Sequence, residues 1–219
     1  LYWGKNRSQP SVHYSMFPED GRHEFVLGFG TVPNDNFWNY VPIGLKYNYY
    51  FMEDLAIELG ASYMIKIETE LESFLRNEII PGQERVGPQY MEWQAGVGLL
   101  WTPLHGKLAA FDAKLGHWDF GLAFALHAIG TGFEMPDAST ERQVDIGATL
   151  GATVRFYVYD FIAIRVDYRH YIFASSQANE QGTVNQDGSP GPTSYTFTGS
   201  DIVFPAEISL GISLFIPDN

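Results

Sequence analysis

The chain has 219 residues, 45% of them hydrophobic and 16% aromatic, with 26 acidic side chains against 13 basic ones and no cysteine. A net charge of −13 excludes nucleic acid as a partner, because phosphates need a basic surface, and the missing cysteine excludes disulfides and thiolate chemistry. No apolar run approaches the eighteen or so residues of a transmembrane helix, so any membrane span must be built from strands; one all-β barrel is an ordinary domain at this length.

Residues 1–22 show no hydrophobic period and contain Pro10 and Pro18, which reads as an N-terminal tail or short plug. Leu1-Tyr2-Trp3-Gly4-Lys5 is not the start of a secretion signal, so either one was removed or the sequence begins inside a longer chain. From His23 to residue 217 the pattern is that of a barrel. Alternation begins with Phe25, Leu27 and Phe29 on one face and Glu24, Val26, Gly28 and Gly30 on the other, and ends at Pro33-Asn34-Asp35-Asn36. A second strand, about 40–51, sets Val41, Ile43, Leu45, Tyr47 and Tyr49 against Gly44, Lys46 and Asn48. After a tight turn at Met52-Glu53-Asp54, a third over 55–68 sets Leu55, Ile57, Leu59, Ala61, Tyr63, Ile65 and Ile67 against Glu58, Gly60, Ser62, Met64, Lys66 and Glu68.

Alternation lapses from Thr69 to Gln89, a long loop in which Thr69-x-x-Glu72 has the form of a helix cap. The fourth strand, about 90–102, places Met91, Trp93, Ala95, Val97, Leu99 and Trp101 opposite Glu92, Gln94, Gly96 and Gly98, and a connection follows through Pro103 and Gly106. The fifth, about 117–133, carries Trp118, Phe120, Leu122, Phe124 and Leu126 opposite His117, Asp119, Gly121 and His127. The sixth, about 143–158, turns Val144 to Phe156 away from Asp145, Gly147, Gly151, Thr153 and Arg155. Only Tyr159-Asp160 separates it from the seventh, with Ile162, Ile164, Val166, Tyr168 and Ile172 on one side and Arg165, Asp167 and Arg169 on the other. Residues 174–200, rich in Ser, Gly, Asn and Gln, form the longest expected loop, before a last strand over 201–216 whose even positions are continuously apolar from Ile202 to Ile216. The expected fold is therefore all-β, an eight-stranded antiparallel up-and-down transmembrane β-barrel. Long connections follow the odd strands and tight ones follow the second and sixth, and an even count returns both termini to the short-turn rim.

Volume decides which face meets lipid. The apolar faces supply more than forty mostly large side chains, whereas a closed eight-stranded barrel is filled by roughly a dozen. The other face offers glycines and twelve charges: Glu24, Lys46, Glu58, Lys66, Glu92, Asp119, Asp145, Arg155, Arg165, Asp167, Arg169 and Glu207. Turned toward lipid, each Lys or Arg would cost up to ~2–4 kcal/mol near the midplane, so the charged face lines the lumen. Tyr47, Tyr49, Trp93, Trp101, Trp118 and Tyr168 fall where interfacial girdles form.

Among these inward charges the expected network is Arg155, Arg165 and Arg169 with Asp145, Asp167, Glu207, Glu58, Glu92, Lys46 and Lys66. Glu207 and Asp167 are the acids expected between Arg155 and Arg165, which lie at similar distances from the Tyr159-Asp160 turn. Such a network either closes the lumen or lines a narrow pore. His117 and His127 point inward, but no serine stands in a G-x-S-x-G context. His170 falls on the lipid-facing parity near a strand end, and His13, His23 and His105 lie in the tail or near turns. No zinc-like spacing is present, and no cofactor is implied. The long-side loops carry an acidic surface that includes Asp35, Glu68, Glu70, Glu72, Glu78, Glu84, Asp137 and Asp187.

This combination resembles the bacterial outer-membrane β-barrels. Ser209-Leu210-Gly211-Ile212-Ser213-Leu214-Phe215-Ile216 resembles the β-signal of a final strand, with the polar position at Ser209, the glycine at Gly211 and the hydrophobic positions at Leu214 and Ile216. A narrower resemblance is to a small-barrel family of myxobacteria and related deltaproteobacteria, some members of which belong to gliding-motility machinery. It is carried by Gly21-Arg22-His23-Glu24, Gly28-Phe29-Gly30, Pro33-Asn34-Asp35, Pro103-Leu104-His105-Gly106-Lys107-Leu108 and His117-Trp118-Asp119-Phe120. The resemblance implies the bacterial outer membrane with both termini periplasmic, and contact with lipid, lipopolysaccharide, the barrel-assembly machinery and envelope protein partners. It brings no catalytic motif. The expected role is structural or interactive, with a narrow channel as the alternative and a lipid-modifying enzyme third.

Overall fold

The structure is a computed structural model that describes residues 21–33, 37–74, 89–110, 114–135, 139–184 and 190–217, and the side chains of all these except 72, 108–110, 114–115, 176–184, 190–200 and 217. The expected tail lies outside the described residues apart from Gly21 and Arg22, as do Asp35, Glu78, Glu84, Asp137 and Asp187.

Alternating sequence becomes strand wherever it was expected. The strands are β1 (Arg22–Thr31), β2 (Trp38–Met52), β3 (Leu55–Glu68), β4 (Tyr90–Ala110), β5 (Lys114–Glu134), β6 (Thr140–Tyr159), β7 (Ile162–Val184), β8 (Pro190–Val203) and β9 (Ala206–Pro217), with one short helix, α1 (Glu70–Phe74). Antiparallel pairing runs in sequence order from β1 to β7, then from β7 to β9 and from β9 back to β1, closing a ring of eight strands. β8 and β9 are one run interrupted at Phe204-Pro205: proline cannot donate to the ladder, and the Tyr171 N–H crosses the break to the Pro205 carbonyl at 2.9 Å. This eight-stranded ring with lipid-type side chains outside is a transmembrane β-barrel. Leu27, Leu45, Leu126 and Ile212 are each more than half exposed on its outer surface, while Arg155, Arg165 and Glu24 inside are fully buried.

Two aromatic and histidine clusters mark the edges of the apolar belt. On one side His23 Nδ1 and the Tyr47 hydroxyl are 2.7 Å apart, with the Tyr49 ring beside them; on the other, His170 stacks between Tyr168 and Phe204. In register the two levels fall at Ile216 and Ala206 of β9. At ~3.3 Å per residue and a tilt of ~40°, those ten positions span about 25 Å of bilayer normal, the height of an apolar barrel band.

Three details differ from expectation. Residues 174–200 are not a loop throughout: β7 and β8 continue as a two-stranded ribbon from Phe173↔Val203 to Val184↔Pro190. Beyond the bilayer a ribbon needs no apolar face, so the polar sequence hid it. Pro103 and Gly106 likewise lie within β4, which runs past the short-turn rim paired with β5 alone from Leu104↔Phe120 to Ala110↔Lys114. There Trp118 lies against Gly106, where a Cβ would meet its Nε1 at 2.3 Å; the bare glycine backbone is what admits the indole. Finally, a register shift between Met91 and Trp93 is the extra residue of a bulge. It turns Met91 into the lumen, 6% exposed, rather than toward lipid. Helix α1 forms where the Thr69 motif suggested, although the Thr69 hydroxyl donates to the Phe37 carbonyl at 3.0 Å.

Candidate functional site: the filled lumen

Parity alone sends the charged side chains inward, and the ring sets their neighbours. Glu24 of β1 lies at the centre. Its carboxylate accepts from Asn48 Nδ2 at 2.7 Å, the Tyr50 hydroxyl at 2.9 Å and the Ser213 hydroxyl at 2.6 Å, and reaches Arg155 at 3.2 Å and Arg165 at 3.4 Å. Arg165 also meets Glu58 at 2.8 Å and Asp167 at 3.0 Å. Arg169 meets the same two acids at 2.9 and 3.3 Å, and Lys46 closes on Asp167 at 2.8 Å. On the short-turn side Arg155 Nε donates to Asp119 at 2.8 Å, which also accepts from the Tyr157 hydroxyl at 2.7 Å.

Arg155 and Arg165 are direct cross-strand partners, an arrangement that repels unless the heads diverge. They do diverge: Arg155 turns to Asp119, Arg165 to Glu58 and Asp167, and Glu24 reaches both from the first strand. Desolvating such ions costs several kcal/mol each, a cost offset only when pairing and hydrogen bonding are nearly complete.

Apolar layers lie on both sides of the charges. Toward the long-loop rim Trp38, Tyr40, Met64, Tyr90, Ile129 and Phe173 are buried together inside the barrel. Toward the short-turn rim Tyr50, Ala56, Leu100, Ala123, Ala163 and Phe215 form a second cluster, with Tyr157 against it. The Arg155 guanidinium stands 5.3 Å from the Tyr50 ring centre and 5.6 Å from that of Phe215, so the second layer is tied to the network by cation–π contact.

Of the residues expected in the network, Arg155, Arg165, Arg169, Asp167, Glu58 and Lys46 are brought together, and four are not. Lys66 pairs with Glu134 and lies 3.6 Å from the Tyr90 ring centre, above the outer apolar layer. Glu92, at the bulge, binds Arg142 at 3.0 Å on the exposed rim. Asp145 accepts from Thr131 at 2.8 Å and Gln89 at 3.1 Å. Glu207 is buried but takes the Tyr171 hydroxyl at 2.8 Å and Gln94 at 3.3 Å. The acid between Arg155 and Arg165 is therefore Glu24 rather than Glu207. Both acids have inward parity, but Glu24 lies level with Asn48 and Phe215 while Glu207 lies level with Arg169, a difference of height that only strand register reveals. In the assembly-signal segment Ser209 and Gly211 face the lumen, with Gly211 opposite Arg165, and Leu214 and Ile216 face lipid.

No protein-family model matches the chain, and no curated protein matches it. Among solved structures it is similar to the N-terminal β-barrel domain of Pseudomonas aeruginosa OprF, at 10% identity over 90% of this chain and 98% of that one, with a TM-score of 0.48. Neisserial surface protein A is similar at 11% identity over 88% and 94% of the two chains, TM-score 0.44, and the attachment invasion locus protein Ail of Yersinia pestis at 12% over 90% and 99%, TM-score 0.44.

Proposed function

We propose that this chain is a non-enzymatic barrel of the bacterial outer membrane, with both termini periplasmic, whose lumen passes no solute and whose role is structural and interactive. The observation that carries this reading is the stacking of three closures in one narrow lumen: the outer aromatic layer, the arginine–carboxylate network and the inner layer at Phe215. A wall with this interior has only its rims to offer. Its partners are then lipid and lipopolysaccharide around the belt, the barrel-assembly machinery during insertion through the Ser209–Ile216 segment, and an envelope protein at the rims. The Pro103–Leu108 and His117–Phe120 segments support placing it with the myxobacterial small barrels, some of which belong to envelope-spanning motility complexes.

Planar-bilayer recording and native purification in mild detergent test the proposal together. The expected outcome is no steady conductance and a stoichiometric envelope partner; a constant ohmic conductance in the unmodified protein overturns it in favour of a channel. Orientation is tested by single cysteines: Gly182→Cys on the β7–β8 ribbon reacts with an impermeant reagent on intact cells and Asp160→Cys does not, and the reverse pattern inverts the topology.

A further inference from the structure

Between the outer aromatic layer and the charge network the packing of the lumen leaves one small gap among the described residues. A cavity of about 40 Å³ lies there, its wall made of strand glycines, among them Gly60, and of Gln94, His127, Arg169, Tyr171 and Glu207. Three of these side chains carry buried polar atoms with no partner among the described residues: Nε and Nη1 of Arg169, Oε1 of Gln94 and Nδ1 of His127. Arg169 is 3% exposed and Gln94 7%. Opposite Arg169 in register stands Glu207, whose carboxylate is held by Tyr171 and Gln94 and makes no salt bridge among the described residues.

The chemistry of these orphaned atoms selects the occupant. Arg169 contributes two unpartnered donors and Gln94 an unpartnered acceptor, from side chains that line one small space. An anion would satisfy Arg169 but face Gln94 Oε1 and the carboxylates of Glu207, Glu58 and Asp167. A cation would satisfy the oxygens but face Arg169, Lys46 and Arg165. Water donates and accepts, and at ~10–15 Å³ per molecule the cavity holds about three. We propose that a buried water cluster occupies this level of the lumen and joins Arg169 to Glu207, the one acid of the buried set among the described residues that no cation reaches directly. Buried polar atoms are satisfied in native proteins by protein or by ordered water, and this site offers water enough polar partners to hold it.

The test uses the whole chain in lipid nanodiscs with arginine labelled by nitrogen-15. The Arg169 Nε–H, assigned by its disappearance in Arg169→Lys, is expected to show a cross-peak to water, while the Arg165 Nε–H, held by Asp167 at 3.0 Å, shows none. Absence of the Arg169 cross-peak overturns the proposal. A second measurement compares Gly60→Thr with Gly60→Val, which place the same volume in the cavity; a Cβ at Gly60 meets nothing nearer than Lys46 Cγ at 3.6 Å. In a wet cavity the threonine hydroxyl replaces a water and the threonine variant melts higher; in a dry one the valine variant melts higher, and that order refutes the water cluster. A bromide peak beside Arg169 in crystals grown with bromide would assign the site to an anion and refute it equally.

Discussion

Replacing Arg165 by methionine tests whether the charge network holds the barrel together. The substitution keeps most of the volume and removes the cation that three acids share. None of the three is left alone: Glu58 keeps Arg169 at 2.9 Å, Asp167 keeps Lys46 at 2.8 Å, and Glu24 keeps Arg155 at 3.2 Å. The loss therefore falls at the lower end of the ~3–5 kcal/mol that follows removal of one partner from a buried ionic cluster, about 3 kcal/mol. Glu207→Gln is the reference. It removes a buried charge that has no salt-bridge partner among the described residues and keeps an oxygen for Tyr171, so it costs about 1 kcal/mol. Urea unfolding from lipid vesicles, followed through the five tryptophans, measures both. Equal losses, or a larger loss for Glu207→Gln, would refute the assignment of Glu24, Glu58 and Asp167 as one cluster centred on Arg165. The Arg165→Met barrel should also remain electrically silent, since both apolar layers survive.

The lipid-facing parity is tested at Leu210, which is 45% exposed on the outer surface: Leu210→Arg should lose ~2–4 kcal/mol of stability in vesicles, whereas Ser209→Ala on the lumen face should change little, and equal tolerance of both would argue against a lipid contact. At Gly98 a Cβ would come within 2.2 Å of the Phe124 carbonyl oxygen and 2.5 Å of Ala125 Cβ; Gly98→Ala should destabilise by ~1–3 kcal/mol through overpacking, measured by the same unfolding, and a neutral result would contradict the register of β4 on β5.

The strands and their faces were legible because the bilayer imposes a rule that sequence records directly. Every second residue of β3 or β9 must tolerate hydrocarbon, and the run from Ile202 to Ile216 does so even across Pro205. Where that rule lapses, legibility lapses too. The β7–β8 ribbon and the far end of the β4–β5 hairpin obey no apolar period, and the Met91 reversal depends on one extra residue that alternation cannot register. Within the lumen, inward parity identified the charged set but not its pairings. Heights across the ring depend on stagger, so Lys66, Glu92 and Asp145 looked equivalent to Glu58 in sequence yet belong to the long-loop end. The apolar layers were the larger omission: Tyr40, Tyr50, Leu100 and Phe215 sit on the polar parity, where an aromatic residue looks like an exception until the closed ring places several of them side by side.

Glu24 belongs to the first strand of the wall, yet both of its cations come late in the chain: Arg155 and Arg165 lie 131 and 141 residues away, and Ser213, which also donates to it, lies 189 away. Until those segments are in place, a partly built sheet carries a carboxylate that cannot be buried without a large cost. The seam between β1 and β9 thus forms in the same event that neutralises this charge. Contacts of such long sequence separation are slow to make, because the closure entropy precedes any reward, but here the reward arrives all at once. Half-closed barrels are accordingly sparse at equilibrium, and opening of the seam in the membrane is expected to be an all-or-none transition, with the first strand deciding when the last is accepted.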